Sequence, residues 1–565
     1  MTRPLNIIVT AIIAICYLLL LPRSIGFGDS GTLAAAVITP GIPHPTGFPS
    51  YLLIARLFAQ LPFGATLLKL QLLSLFPAVI LIYLLPSVFT KITLALTFTF
   101  WYQASNVESY LLTNLFVYCL TWFNLGRYSR SLFYSAILGL GGGLNPIGVT
   151  VVPVILYLHG FARQFWVFLL AMPALTLAYC YLPIIARTHP FLNWGDPHDL
   201  SRLLTYLSGS GLNITSSSFV NGFTGSLYWY AQAWVRFITL AWTQLSPLIL
   251  ILAGVGFVYQ WRTQRRHFWT YLIILTTNVS LAGIYVSGNR DAWLLTSLIT
   301  LVILAGEGIS SLTKFQLPVL VSTLLTVTIL NLPWIIQASR SNLSAKYISD
   351  LYQDLPPNAL LLGSGETFNS LTLYAYKVQN IRPDVIPIDM SIFYGQAWYR
   401  NNLTAQNLGI NTTLTHPITF SNTLEFSHML EEFATHNSHH PIFITGSLLI
   451  NPIYTNTTLP AYIPQRYQLT PHALVYELKD PDHSPLPLST YPAPPKSNPR
   501  LGSNSQQAIE NISKEYALSL EKMGDYHLLH NQPNLAYPLY VQANQMSSTY
   551  FDQNRLSSKL APHNP

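Results

Sequence analysis

Residues 5–31 read LNIIVTAIIAICYLLLLPRSIGFGDSG. No charge falls from Leu5 to Leu21, and the run is close to the ~20 residues that cross a bilayer core. It passes directly into GFGDSG at 26–31, where glycines allow a tight turn and Asp29 stands just outside the apolar run. A signal peptide would also begin with such a run. The densest motif of the chain follows at once, so we read it as a retained span.

The rest of the chain fits that start. Of 565 residues, 50% are hydrophobic and 9% charged, against about a quarter charged in soluble domains. One soluble globule and a disordered chain are both excluded. Six acids occur through Trp334 (Asp29, Glu108, Asp196, Asp199, Asp291 and Glu307), and the other 16 follow it. Lys plus Arg split 16 and 13, so the first part carries +10 and the tail −3. This is the balance of a polytopic α-helical membrane domain followed by a soluble one. The basic residues stand singly between apolar runs, which argues against nucleic acid as a partner. Cys16, Cys119 and Cys180 lie far apart in apolar runs, with neither disulfide nor metal spacing.

About eleven spans are expected, at roughly 5–21, 66–86, 92–106, 108–125, 131–144, 146–160, 164–186, 235–260, 268–286, 292–311 and 316–336. With Arg3 inside, alternation puts Lys91, GRYSR at 126–130, Arg163, RTQRRH at 262–267 and Lys314 on the cytoplasmic side, as the positive-inside rule asks. The loops at 22–65 and 187–224, and everything after Trp334, fall on the other side. The tail alternates strand-like ALLLG at 359–363, DVIPIDM at 384–390 and PIFITG at 441–446 with helical stretches, which predicts a small α/β domain with a parallel sheet. The expected organisation is a membrane domain at 1–336, an α/β domain at 337–483, a Pro-rich linker at 484–505 and a helical hairpin at 506–565. In the hairpin, Gly524, Ala536, Tyr540 and Ala543 match one tetratricopeptide repeat, though an amphipathic helix pair explains them equally. Linker and hairpin are expected to be dispensable for donor binding.

Acids in a membrane-embedded region are functional candidates by default. Asp29 is the sharpest, because a second rigid polar motif, GIPHPTGFP at 41–49, holds His44 in the same outer loop. In order, GDSG, HPTGFP, ESY at 108–110, GGGLNP at 141–146 and NWGDP at 193–197 resemble a GT-C-type polyprenyl-phosphate-sugar transferase. More narrowly, the chain resembles the domain-of-unknown-function family 2723, which is protein O-mannosyltransferase-like. YLPIIAR at 181–187 and RPDV at 382–385 extend the resemblance to roughly residues 26–399. Thr32 stands where the family has an acid after GDSG, and Asn145 where many members have His.

The resemblance implies a GT-C-like fold and a catalytic carboxylate at Asp29. Transfer of a sugar to a hydroxyl needs a base for the proton and donors or cations for the leaving phosphate. Asp29 and Glu108 are therefore the candidate catalytic residues. His44, Arg56, Arg290 and Asp291 are candidates for binding the phosphate or sugar, and Trp194 and Asp196 for positioning a loop. Glu108 is open between a second carboxylate of the site, on metal or sugar, and a structural partner of an arginine. The implied donor is a polyprenyl-phosphate sugar, mannose or another hexose, and the implied acceptor a protein or glycan hydroxyl. No cofactor is certain; a divalent metal is left open. The expected setting is a multi-pass protein of a bacterial inner membrane with the C-terminal domain extracytoplasmic. A transporter or lipid flippase is the competing class, though no second copy of GDSG or HPTGFP gives it an internal repeat. GSGETF at 363–368 is read as a tight strand-to-helix turn, since Phe368 replaces the third glycine of a dinucleotide loop.

Overall fold

The computed structural model describes residues 3–122, 132–208, 227–284, 290–312, 316–414, 423–450, 468–479, 488, 491–495 and 498–561. GRYSR at 126–130 and Lys314 lie outside the described residues, as do the side chains of Arg163 and Arg290. Among the described residues the chain is mostly helical and holds one five-stranded sheet. It forms two compact units. The first comprises Met1–Arg23, Ala36–Ser341 and Asn498–Ser503, the second Ser24–Ala35, Asn342–Ser497 and Asn504–Pro565.

Among its described residues the first unit is built of helices, with one isolated β-bridge. Among the described residues, four helical stretches are long and apolar enough to cross a membrane: Thr66–Leu84, Trp166–Ala186, Tyr228–Thr263 and Gln316–Leu351. This corrects the expected count of about eleven spans. Several of the expected spans are shorter apolar helices, among them Pro4–Leu19, Tyr110–Trp122, Pro146–Leu158 and Leu295–Ser311. Between 88 and 122 the apolar run breaks into Val88–Ala95, Phe98–Ser105 and Tyr110–Trp122. Ser87 starts the first of these with a capping box, one residue after the expected span 66–86 ends.

The long helices carry apolar faces without protein cover: Leu317 is 69% exposed and Ile329 64%. Such faces, too large for a water-facing surface, suit lipid. Inside the bundle, glycines set the spacing. A Cβ on Gly256 would lie 1.9 Å from the Leu304 carbonyl, and one on Gly308 would lie 2.0 Å from that of Leu252. The helices Leu227–Thr263 and Leu295–Ser311 therefore approach backbone to backbone, the small-residue packing typical of membranes. Lys91 is fully buried, with Nζ donating to the Ile82 and Tyr83 carbonyls at 2.5 and 2.7 Å. There it caps the carbonyl end of Thr66–Leu84, where a cation meets the negative end of the helix dipole.

In the second unit the strands are β1 Leu360–Gly363, β2 Ile386–Asp389, β3 Ile442–Thr445, β4 Gln468–His472 and β5 Val475–Lys479. Their order is β2-β1-β3-β5-β4. β1 pairs in parallel with β2 and β3, while β5 pairs antiparallel with β3 and β4. The three strand-like runs of the tail form β1, β2 and β3, and the β4–β5 hairpin is an addition the sequence did not suggest. All four residues of β1, β2 and β3 are buried, which is why they read as continuous apolar runs rather than alternating ones. The helix Ser503–Leu529 contributes Leu518 to the core that includes Leu360, Ile388, Ile444 and Tyr476. It meets Pro533–Met546 where a Cβ on Gly524 would lie 2.5 Å from the Tyr540 ring.

Candidate functional site

Asp29 stands one residue before the helix Ser30–Ile38, its carbonyl accepting from Leu33 N–H at 2.8 Å. The carboxylate thus sits at the positive end of a helix. The turn that delivers it depends on two glycines. Gly28 has φ +76°, and a Cβ on Gly31 would lie 2.2 Å from the Ser370 carbonyl oxygen. Ser370 holds the turn from both sides: its hydroxyl donates to the Gly28 carbonyl at 2.6 Å and accepts from Gly31 N–H at 3.1 Å. Upstream, the Ser344 hydroxyl donates to the Ile25 carbonyl at 2.7 Å. Residues 24–35 are therefore built into the second unit, against the helix Gly365–Leu373.

The first turn of that helix brings a second carboxyl to Asp29. A Cβ on Gly28 would lie 3.5 Å from Glu366 Oε1, and the Asn504 amide reaches the two Glu366 oxygens at 3.4 and 3.5 Å. Glu366 is exposed at its surface, while protein surrounds it at longer range. That crowding, and then the Asp29 charge, push its carboxyl above the ordinary carboxylate range, while Asn504 pulls the other way. Sequence reasoning passed over Glu366, because it stands in the GSGETF turn. Its signal was available as an acid just past a strand end, where open α/β sheets place ligands.

Within the first unit, four motifs are tied together. HPTGFP meets NWGDP: Ile42 forms a β-bridge with Asn193, and the Tyr206 hydroxyl donates to the Pro43 carbonyl at 2.6 Å. His44, half-buried, packs edge-on against Phe48 with ring centroids 5.3 Å apart. Arg56 donates to the Ala36 and Gly41 carbonyls at 2.9 Å each and lies 5.0 Å from the Tyr181 ring centroid. These contacts engage it in holding the loop. Asp196 accepts from Asn193 at 3.0 Å and Arg202 at 3.1 Å and lies 2.9 Å from His198 Nδ1, so it organises the loop that carries Trp194.

The third and fourth motifs join through side chains. Asn145 of GGGLNP donates to the Ser109 hydroxyl at 3.0 Å, and Ser50 N–H donates to the Gly143 carbonyl at 3.0 Å. Glu108 is 3% exposed, its backbone N–H donating to the Ser74 hydroxyl at 3.2 Å. It lies near the buried Tyr51. Asp291 is paired with Arg236, a residue the sequence reading passed over, through two bonds of 2.7 Å. This bidentate geometry is among the strongest charged contacts. Arg290 opens the short helix Arg290–Trp293. Among the described residues, no group of three or more His, Cys, Asp or Glu is placed to hold a metal ion.

The mouse protein O-mannosyl-transferase TMEM260 is 24% identical to this chain over 477 residues. The match covers 72% of the chain and 65% of that relative, just under two thirds of its length. No family model matches the chain, and no solved structure does.

Proposed function

We propose that this chain is a membrane glycosyltransferase of the GT-C type, related to the domain-of-unknown-function family 2723. It would move a hexose, mannose in the first instance, from a polyprenyl-phosphate donor to a protein or glycan hydroxyl on the extracytoplasmic side. The observation that carries the reading is Asp29: a carboxylate fixed at a helix N-terminus by glycines and Ser370. The distant likeness to a protein O-mannosyl-transferase supports the same class.

In this reading the acceptor O–H gives its proton to Asp29 as its oxygen bonds to the anomeric carbon. The bond from that carbon to the phosphate oxygen breaks, and its electron pair leaves with the lipid phosphate. Asp29 supplies general-base catalysis. His44, Arg56 and Arg290 are our candidates for the phosphate, with Arg56 acting also as a strut. Glu108 is assigned to sugar hydroxyls or to orienting the site.

The test is transfer of labelled mannose from a polyprenyl-phosphate donor by the purified full-length chain, with protein and glycan acceptors. Asp29-dependent transfer is expected. If the chain moves lipid across vesicles and transfers no hexose from any lipid-linked donor, it belongs to the flippase class instead.

A further inference from the structure

We propose that Glu366 is a positioning residue of the transfer centre, meeting the Asp29 turn within the α/β unit. The role deepens the proposed transferase function and rests on it.

The topology explains why Glu366 stands where it does. β1 is flanked by β2 on one side and β3 on the other, so the chain reverses direction about it. The crevice outside the carboxyl ends of strands at such a reversal is where open α/β sheets receive ligands. The turns that follow β1 and β3 are tied there. Ser364 N–H donates to the Ser447 hydroxyl at 3.0 Å, and the Ser364 hydroxyl donates to the Ser447 carbonyl at 3.1 Å. Glu366 follows in the first turn of the next helix. What lies against that helix is the chain's own segment 24–35, held by Ser370.

The chemistry follows from two acids in one place. Neighbouring carboxyls do not both ionise cheaply, so one keeps its proton. Crowding by protein favours Glu366 as the keeper. The titratable group that faces it is Asp29, from the turn. The helix Ser503–Leu529 presents Asn504, a neutral amide. A protonated Glu366 adds no second charge to the Asp29 turn. Once Glu366 ionises, two negative charges confront an anionic phosphate donor, and donor affinity falls.

Two measurements on the full-length chain test this. Infrared titration should show a carboxyl band that is absent in Glu366→Gln. In Asp29→Asn, that band should titrate roughly 1 pH unit lower, because the neighbouring charge is gone. This arm needs no turnover, so it stands apart from whether the chain transfers sugar. In the transfer assay, the wild-type KM for donor should rise on the alkaline side while that of Glu366→Gln stays flat. A titration unmoved by Asp29→Asn would overturn the proposal. So would a Glu366→Gln that keeps the wild-type KM profile, or one that is inactive while Asp29→Asn still turns over.

Discussion

Asp29→Asn keeps the shape of the turn and removes both charge and basicity. The Ser370 clamp acts on the Gly28 carbonyl and Gly31 N–H, so the turn should survive. Losing a general base costs about 10²–10⁴ in rate. We expect the variant to insert normally, to bind lipid-linked donor and to lose transfer by that factor, as single-turnover and donor-binding assays would show. Near-normal transfer would remove Asp29 from the mechanism. Asp29 was legible in the sequence because its glycines and its place after an apolar run are local signals. Its surroundings were not. The contact that fixes the turn joins residues 342 positions apart, and nothing in GSGETF indicates that segment 24–35 returns to it. Arg236 was hidden for a related reason: it sits inside an apolar run, and its partner Asp291 lies 55 positions on.

At the scale of elements, apolar composition marked where helices run but not where they stop. The non-helical Ser246 before Pro247 bends a run that hydropathy treats as whole, and the expected span 92–106 splits between Val88–Ala95 and Phe98–Ser105. The strands were easier, since short apolar runs between helical stretches have few other readings. The helix Ser503–Leu529 is where the sequence misleads most. It lies beyond a Pro-rich stretch and looks separable, yet its Tyr516 hydroxyl donates to Asp350 at 2.5 Å and its Ser519 hydroxyl to the Ala473 carbonyl at 2.8 Å. A chain ended near Tyr476 should therefore leave the α/β unit unfolded and protease-sensitive, rather than intact. Glu515 of the same helix is 1% exposed, and burial pushes its carboxyl up to about 8, against the Tyr347 hydroxyl bond that lowers it. The folded state thus holds a proton that the unfolded chain releases. The stability this contributes is complete below the ordinary carboxylate range and is lost as pH rises towards about 8. Asp389, pushed up to about 6 by burial, acts in the same sense at lower pH. Protection factors in the strands, corrected for the base catalysis of exchange itself, should fall from about pH 5 to about pH 8 in the wild type. In Glu515→Gln the fall should be much smaller; an equal fall would assign the effect to another group.

Across the whole molecule the question is which side of the membrane each part faces, and the arginines of one loop supply a marker for it. RTQRRH occupies the joint between the helices Leu227–Thr263 and Arg265–Ile284. Arg266 donates to the Leu158 carbonyl at 3.1 Å, and the Arg265 guanidinium lies 4.5 Å from the Trp261 ring centroid. A tight hairpin tip carrying three arginines is costly to move through the bilayer centre, about 2.5–3.5 kcal/mol for each. This loop is therefore our cytoplasmic marker. The opposite assignment for the tail rests on an exit. Within the first unit, Arg500 donates to the Leu330 carbonyl at 3.3 Å and Asn498 to that of Trp334 at 3.4 Å. Residues 498–503 thus return to the C-terminal end of the helix Gln316–Ser339, the end at which the chain leaves its last apolar stretch. A reporter active only in the cytoplasm should work when inserted at Gln264 and stay silent when fused after Pro565. Activity at both positions would place the α/β unit, and Glu366 with it, in the cytoplasm, where an extracytoplasmic donor could not reach the Asp29 turn it holds.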